Sequence, residues 1–306
     1  MTEVLKAGVA GAGVFGGYHA NKYAEAEAAN LVAIFDMDQG RADERAAEHG
    51  ATGYSDYAAF LDAIDVLTIA TPATTHAELA SQAIAAGKHV LVEKPIALNL
   101  EDADALIAAA DANKVVIQVG HQERYVASGF GLMDRGVPQA VRSRRMNRYS
   151  PRAGDVSVVM DLMIHDLDLL AQLTGQSDGK ILALETRKEK GIHADYVDVT
   201  LDVGGVEAQL IASRLEEDPT RDLKMTYADG EVVLNFLKRE VSNTTSTPVA
   251  AEFGADDLPL SLKDPLAFGT QSFLAAAQAG STPVVTGQAG RRALALALMI
   301  EEAVNG

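Results

Sequence analysis

The sequence has no cysteine and no tryptophan, few aromatic residues (5%), and far fewer basic than acidic side chains, 26 against 43. Without cysteine there is no disulfide, no thiolate zinc site and no cysteine nucleophile, and redox usage says nothing about compartment. A formal net charge of −17 repels phosphate on average, which excludes unspecific attraction to nucleic acid or anionic lipid. Any anionic ligand must therefore be met by a local basic patch. No apolar run reaches the roughly 18 residues that span a bilayer, and the best candidate, 293–300, stops at Glu301. The first 20 residues are apolar but carry a single lysine and run into a glycine pattern that a folded domain needs, so they are read as domain rather than secretion signal. The expectation is a soluble, cytoplasmic protein with no membrane and no nucleic-acid partner. Its 306 residues, 48% of them hydrophobic, suffice for one large or two ordinary domains.

Up to about residue 120, short β-rich runs alternate with alanine-rich helical stretches, the rhythm of crossover units in a parallel sheet. Strands are expected at 4–10, 31–35, 66–70, 89–92 and 115–119, nearly all apolar as helices on both faces would require. Helices are expected at 14–28, 40–49, 74–86 and 100–113, the last capped by Asn99 with Asp102 in its first turn. Beyond residue 120 the pattern changes. Val197, Val199, Leu201 and Val203 alternate with Asp198, Thr200 and Asp202, an antiparallel strand wet on one face. A helix at 159–173 precedes this sheet, and helices at 265–279 and 288–304 follow it. The fold class is thus α/β: a dinucleotide-binding domain over 1–121, then an α+β domain with an open, mainly antiparallel sheet over 122–306.

Gly11-Ala12-Gly13-Val14-Phe15-Gly16 follows the first strand and opens the first helix. Here Gly11 allows the tight turn, Gly13 lets the backbone approach a pyrophosphate, and Gly16 lets helix and strand pack closely, while the helix end offers N–H groups to the anion. Asp36 ends the second strand, where a carboxylate accepts hydrogen bonds from ribose hydroxyls and repels a 2′-phosphate. NAD is therefore expected over NADP, although Asp38 offers a second carboxylate and Arg41 keeps NADP as the minor alternative. Glu93-Lys94-Pro95 follows the fourth predicted strand, at the edge where ligands bind in open α/β sheets, and the proline raises a cis bond as one way to fix the turn. Asp161, His165 and Asp168 are spaced to share one face of the 159–173 helix among apolar neighbours. Hydride transfer from a carbinol carbon leaves a hydroxyl proton to remove, and a histidine with a carboxylate beside it suits that task. One histidine among aspartates is a poor zinc set, so no metal is expected.

These motifs, with Ala70-Thr71-Pro72, His76, Gly120-His121 and Arg124 in the same order, resemble the glucose-fructose oxidoreductase and inositol dehydrogenase family, Gfo/Idh/MocA, over nearly the whole chain. The resemblance implies hydride transfer between nicotinamide and a sugar-like hydroxyl. It implies Lys94 and His165 as the catalytic pair, Asp161 positioning substrate or histidine, and Thr71, Pro72, His76 and Glu93 lining the nicotinamide side, with Lys94 touching both cofactor and substrate. It also implies homodimers or homotetramers formed through the C-terminal sheet. One departure stands out: where many members carry Pro-Leu-x-x-Glu, Pro265-Leu266 is followed by Phe268-Gly269.

Arg142, Arg144, Arg145, Arg148 and Arg152 cluster in an otherwise acidic chain. In an extended segment Arg142, Arg144, Arg148 and Arg152 share one face, which beside an active site would select an anionic substrate. A surface strand with acidic partners is the alternative. Residues 120–125 and 155–166 resemble the branch of the family that contains UDP-N-acetylglucosamine 3-dehydrogenases, which agrees with that face because a nucleotide sugar brings phosphates. The substrate contacts expected are Lys94, Arg124, Arg148, Asp161 and His165. The alternatives are a dehydrogenase of a neutral polyol or free sugar, and a dinucleotide-binding regulator without turnover.

Overall fold

The computed structural model describes residues 4–149, 156–250 and 258–306. The chain divides into two units, residues 1–121 with 264–291, and residues 122–263 with 292–306.

The first unit is a six-stranded parallel sheet in the order β3-β2-β1-β4-β5-β6, made of Leu5–Ala10, Ala29–Phe35, Thr52–Tyr54, Val66–Ile69, His89–Val92 and Ile117–Val119 as β1 to β6. Its strand order reverses between β1 and β4, so the chain turns leaving these two strands flank the crevice where ligands bind in such sheets. The crossovers carry α1 (Val14–Glu25), α2 (Gln39–Ala47), α3 (Tyr57–Asp62), α4 (His76–Ala85) and α5 (Leu100–Asn113). Asn99 caps α5 as expected, its side chain accepting from the Asp102 N–H at 2.8 Å. The sequence pattern predicts neither the short β3 nor α3. Asp56 starts α3 by accepting from the N–H groups of Ala58 and Ala59 at 2.9 and 3.1 Å.

The expected second domain over 122–306 requires one correction. Residues 264–291 return to the first unit, because α9 (Pro265–Ala279) buries Phe273, Leu274, Ala276 and Ala277 in a cluster with Ala7, Val9, Ala20, Tyr23 and Ile34. Asp264 starts α9, accepting from the Ala267 N–H at 2.9 Å with Pro265 next in the chain, where its missing N–H costs nothing.

The second unit is built on a seven-stranded sheet in the order β13-β12-β11-β7-β10-β9-β8. Its strands are β7 (Ala140–Met146), β8 (Lys180–Arg187), β9 (Tyr196–Val203), β10 (Val206–Ser213), β11 (Thr220–Tyr227), β12 (Gly230–Asn235) and β13 (Glu240–Asn243). All neighbours pair antiparallel except β7 with β10. One face buries Val141, Ser143, Arg145, Val197, Val199, Leu201, Leu223 and Met225, and α7 (Ile164–Thr174) covers this side through contacts with Arg145. The opposite face presents the alternating polar residues Asp198, Thr200 and Asp202 that the sequence marked as wet. Among the described residues no helix is long and apolar enough to cross a membrane.

Candidate active site

At the end of β1, Gly11 has φ +107, and a Cβ there would meet the Ala70 carbonyl oxygen at 2.6 Å. A Cβ on Gly16 would lie 1.7 Å from the Gly11 carbonyl oxygen, so only glycine lets α1 approach the turn this closely. Gly13, Val14 and Phe15 are exposed. The start of α1 has no side-chain cap and no acidic residue in its first turn, which leaves N–H groups and the positive end of the helix dipole for an anion.

Asp36 closes the other side of this cradle. Its carboxylate accepts from the backbone N–H groups of Ala12 and Asp38, both at 3.0 Å, and from Arg41 Nη2 at 2.7 Å. Burial would raise the Asp36 pKa, but the two backbone donors and the Arg41 guanidinium outweigh it and hold the group below the usual carboxylate range. The ionised carboxylate keeps lone pairs for ribose hydroxyls. Asp38 caps α2, accepting from the Arg41 N–H at 3.2 Å, and is thereby committed to the helix start. Glycines where side chains cannot fit, an uncapped helix start and an ionised acceptor at the second strand together fit a dinucleotide.

Two further loops at the same edge are tied together. His76 is 1% exposed and lies with Nδ1 2.8 Å from the Pro95 carbonyl and Nε2 2.9 Å from the Thr71 carbonyl, joining the turn after β4 to the turn after β5. Thr75 Oγ1 adds a bond to Thr71 Oγ1 at 2.8 Å. The Lys94–Pro95 bond is cis. Glu93 is 2.9 Å from His19 Nε2, and a Cβ on Gly120 would fall 2.8 Å from its carboxylate. Burial pushes the Glu93 carboxyl up, but the hydrogen bond and charge of His19, with Lys94 and His76 beyond, hold it below the ordinary range. His19 was missed in the sequence. Its signal was position, since it falls three residues after Gly16 on the face of α1 that the sheet buries.

In the second unit, Val159–Met163 form a π-turn that runs into α7, and Ser157 Oγ accepts from the Val159 N–H at 3.0 Å at its start. Such local widening of a helix recurs at functional sites. Asp161 and His165 are both half-buried, one in the π-turn and one in the first turn of α7. Their neighbours are spent on structure. Asp168 is fully buried and takes both arms of the Arg124 guanidinium, with Arg124 Nη1 also reaching Gln172 at 3.0 Å. Asp166 holds Arg145 through two bonds at 2.9 and 3.0 Å.

Arg124 is thus 4% exposed and committed to clamping α6 (Gln122–Gly129) onto α7, rather than presented to a substrate. Removing one partner of a buried pair leaves an uncompensated charge worth about 3–5 kcal/mol. Asp168→Ala is accordingly expected to lower the melting temperature by roughly 6–20 °C, taking about 2–4 °C per kcal/mol for a chain somewhat smaller than this one; a change under about 2 °C would contradict the clamp.

The arginine face also differs from expectation. Arg142 and Arg144 do share a face, but it is the one turned away from α7, and Arg144 is paired there with Asp222 at 2.5 Å. Arg148 lies on the surface, its side chain 72% exposed and paired with Glu217. Arg152 lies outside the described residues. Of this cluster it is Arg145, of opposite parity, that lies on the α7 side.

A parallel sheet with a glycine cradle, an acidic ribose acceptor and a lysine turn, followed by a second unit whose helix presents histidine and aspartate, defines a nicotinamide-dependent oxidoreductase. The sequence profile of an oxidoreductase family with an NAD-binding Rossmann fold matches residues 5–121. The UDP-N-acetylglucosamine 3-dehydrogenase of Acidithiobacillus ferrooxidans is 34% identical over 98% of this chain and 97% of its own. The chain belongs to the Gfo/Idh/MocA family, and its cofactor is NAD. A solved structure of the Acidithiobacillus enzyme superposes with a TM-score of 0.87 over 99% of this chain and 98% of that one, at 33% identity. The inositol 2-dehydrogenase of Rhizobium meliloti is 28% identical over 96% of this chain and 94% of its own. The scyllo-inositol dehydrogenase of Lactobacillus casei, solved with NAD(H) and scyllo-inositol, shares the fold at TM-score 0.83 and 19% identity, covering 99% and 97% of the two chains.

Proposed function

We propose that the protein is a UDP-N-acetylglucosamine 3-dehydrogenase, oxidising the 3-hydroxyl of the nucleotide sugar to a ketone. The observation that carries this is the likeness to the Acidithiobacillus enzyme along the full length of both chains, second unit included. Bound NAD would supply the hydride acceptor. The chain's own residues handle the rest: the hydroxyl proton leaves to the pair Lys94 and His165, and Asp161 orients the sugar or the imidazole. Glu93, kept ionised by His19, and His76, between Thr71 and Pro95, position Lys94 and the nicotinamide side. Gly11, Gly13, Val14, Phe15 and Gly16 receive the pyrophosphate and Asp36 the adenosine ribose.

The inositol dehydrogenases among the relatives favour a neutral polyol as the second reading. Measuring NAD reduction with UDP-sugars, free sugars and inositols separates the two. We expect UDP-N-acetylglucosamine to give the highest kcat/KM, and a preference for an inositol would overturn the assignment.

We also assign the outward face of the second sheet to a second copy of the chain. Asp198, Asp202 and Glu207 on β9 and β10 lie beside Arg142 on β7 and Lys224 on β11, and a two-fold rotation would set the acidic strands of one copy on the basic strands of the other.

A further inference from the structure

A nucleotide sugar carries a diphosphate, and of the arginines that the sequence offered for it Arg148 is on the surface and Arg142 and Arg144 are on the outward face of the sheet. The face under α7 holds another guanidinium. Arg221 on β11 lies directly across from Arg145 on β7, on the side from which Arg145 reaches Asp166.

The two arginines are spent differently. Arg145 is 1% exposed and places its N–H groups on Asp166 and on Glu123, the latter at 2.8 Å. Arg221 keeps 36% of its side chain exposed. Glu123 lies 3.7 Å from it, beyond hydrogen-bond distance, and the same carboxylate oxygen already accepts from Arg145. Arg221 Nε is buried without an acceptor among the described residues. Burial, and then the like charge of Arg145, lower the Arg221 pKa against the pull of Glu123, Asp166 and Asp161. A guanidinium in this position is partly shielded from water and lies next to another cation, yet keeps donors to give. Its cross-strand neighbour Arg145 is tied to Asp166, the residue after His165 on α7, so Arg221 lies on the side of the sheet that carries the histidine assigned to the sugar.

We propose that Arg221 binds the diphosphate of the substrate and selects nucleotide sugars over neutral ones, a proposal that rests on the nucleotide-sugar assignment above. The planar fork of a guanidinium matches two phosphate oxygens at once. The diphosphate is carried by the anomeric carbon, one ring carbon removed from C3, so the cation that holds it belongs beside the catalytic residues and not among them. Arrival of the anion takes Arg221 away from its loose contact with Glu123, and Glu123 stays with Arg145, so no carboxylate is left without a partner.

The test is calorimetric titration of the full-length protein with UDP and with UDP-N-acetylglucosamine at saturating NADH, for the wild type, Arg221→Gln and Arg221→Lys, alongside steady-state kinetics and thermal melts. Arg221→Gln is expected to weaken UDP binding about 10- to 100-fold and to raise KM for the UDP-sugar similarly, with kcat and NADH affinity changed less than about three-fold, the range expected for losing a hydrogen bond to a charged group. Arg221→Lys keeps the charge but loses the fork and should fall between, and added sulfate should compete with UDP more strongly in the wild type than in Arg221→Gln. A folded Arg221→Gln that binds UDP like the wild type overturns the proposal. Should that variant melt early, unchanged UDP affinity in Arg221→Lys overturns it instead. A wild type that binds neither UDP nor UDP-N-acetylglucosamine while oxidising a neutral polyol overturns the nucleotide-sugar assignment itself, and Arg221 with it.

Discussion

Replacing Gly16 by alanine is expected to abolish NADH binding. The added Cβ would stand 1.7 Å from the Gly11 carbonyl oxygen. Where flexible side chains yield, overpacking costs about 1–3 kcal/mol, but here the obstacle is backbone. Room can be made only if α1 moves off β1, which carries the helix N-terminus away from the pyrophosphate and opens the turn at Gly11. We expect NADH affinity to fall more than about 100-fold, equivalent to roughly 2.7 kcal/mol, with a clear drop in melting temperature. Gly13→Ala is the informative partner. Nothing lies within 4 Å of a Cβ at Gly13, and its backbone is extended, so the fold should be unaffected. Its methyl group would instead occupy the space in which the dinucleotide approaches the backbone. Fluorescence titration with NADH and thermal melts on both variants separate the two effects: Gly13→Ala should lose affinity without losing stability. A Gly16→Ala variant that binds NADH like the wild type would contradict the close approach of helix and turn.

The second large effect concerns the proton. His165→Ala and Lys94→Ala are each expected to lower kcat by about 100- to 10,000-fold, the usual worth of a positioned acid or base, with NADH affinity kept within about three-fold. The anchors of the frame are other side chains. His165 is half-buried in the first turn of α7, while the fully buried anchors of that helix are its neighbours Asp166 and Asp168, each holding an arginine. Lys94 follows Glu93, whose contact with His19 stays in place when the lysine side chain is removed. Equal losses of turnover and NADH affinity would contradict these roles, because a group that acts on the transition state alone leaves ground-state binding unchanged.

Much of the first unit was legible because its signals are local. A glycine turn after an apolar run, an asparagine cap at residue 99 and four apolar strand residues at 89–92 each announce themselves within a few positions, and β5 and α5 were placed to the residue. The three-residue β3 and the six-residue α3 gave too little periodicity to register. The return of α9 to the first unit depends on Phe273 and Leu274 meeting Ala7 and Tyr23, partners hundreds of positions away that no window on the sequence contains.

The site divides in the same way. Gly11, Gly16, Asp36 and the Lys94 turn were readable as chemistry on strand ends. The arginines were not. Alternation along β7 told which of them share a face, and it was right about Arg142 and Arg144, but it could not tell which face the helix covers. That depends on Asp166 and Glu123, which make burial of Arg145 tolerable by taking its charge. Arg221 was invisible for a related reason, since it becomes notable only when β11 is paired with β7 and the two guanidinium groups fall side by side. Charge clusters in sequence drew attention to the surface, whereas Arg221 lies outside any arginine cluster.

The most direct test of the central claim is isotope transfer. UDP-N-acetylglucosamine deuterated at C3 is incubated with the protein and NAD, and the reduced cofactor is analysed by mass spectrometry and NMR. Deuterium at C4 of the nicotinamide, matched mole for mole by a 3-keto nucleotide sugar, is the predicted result. Unlabelled NADH, or tight NAD binding with no label moved from any UDP-sugar, would contradict it.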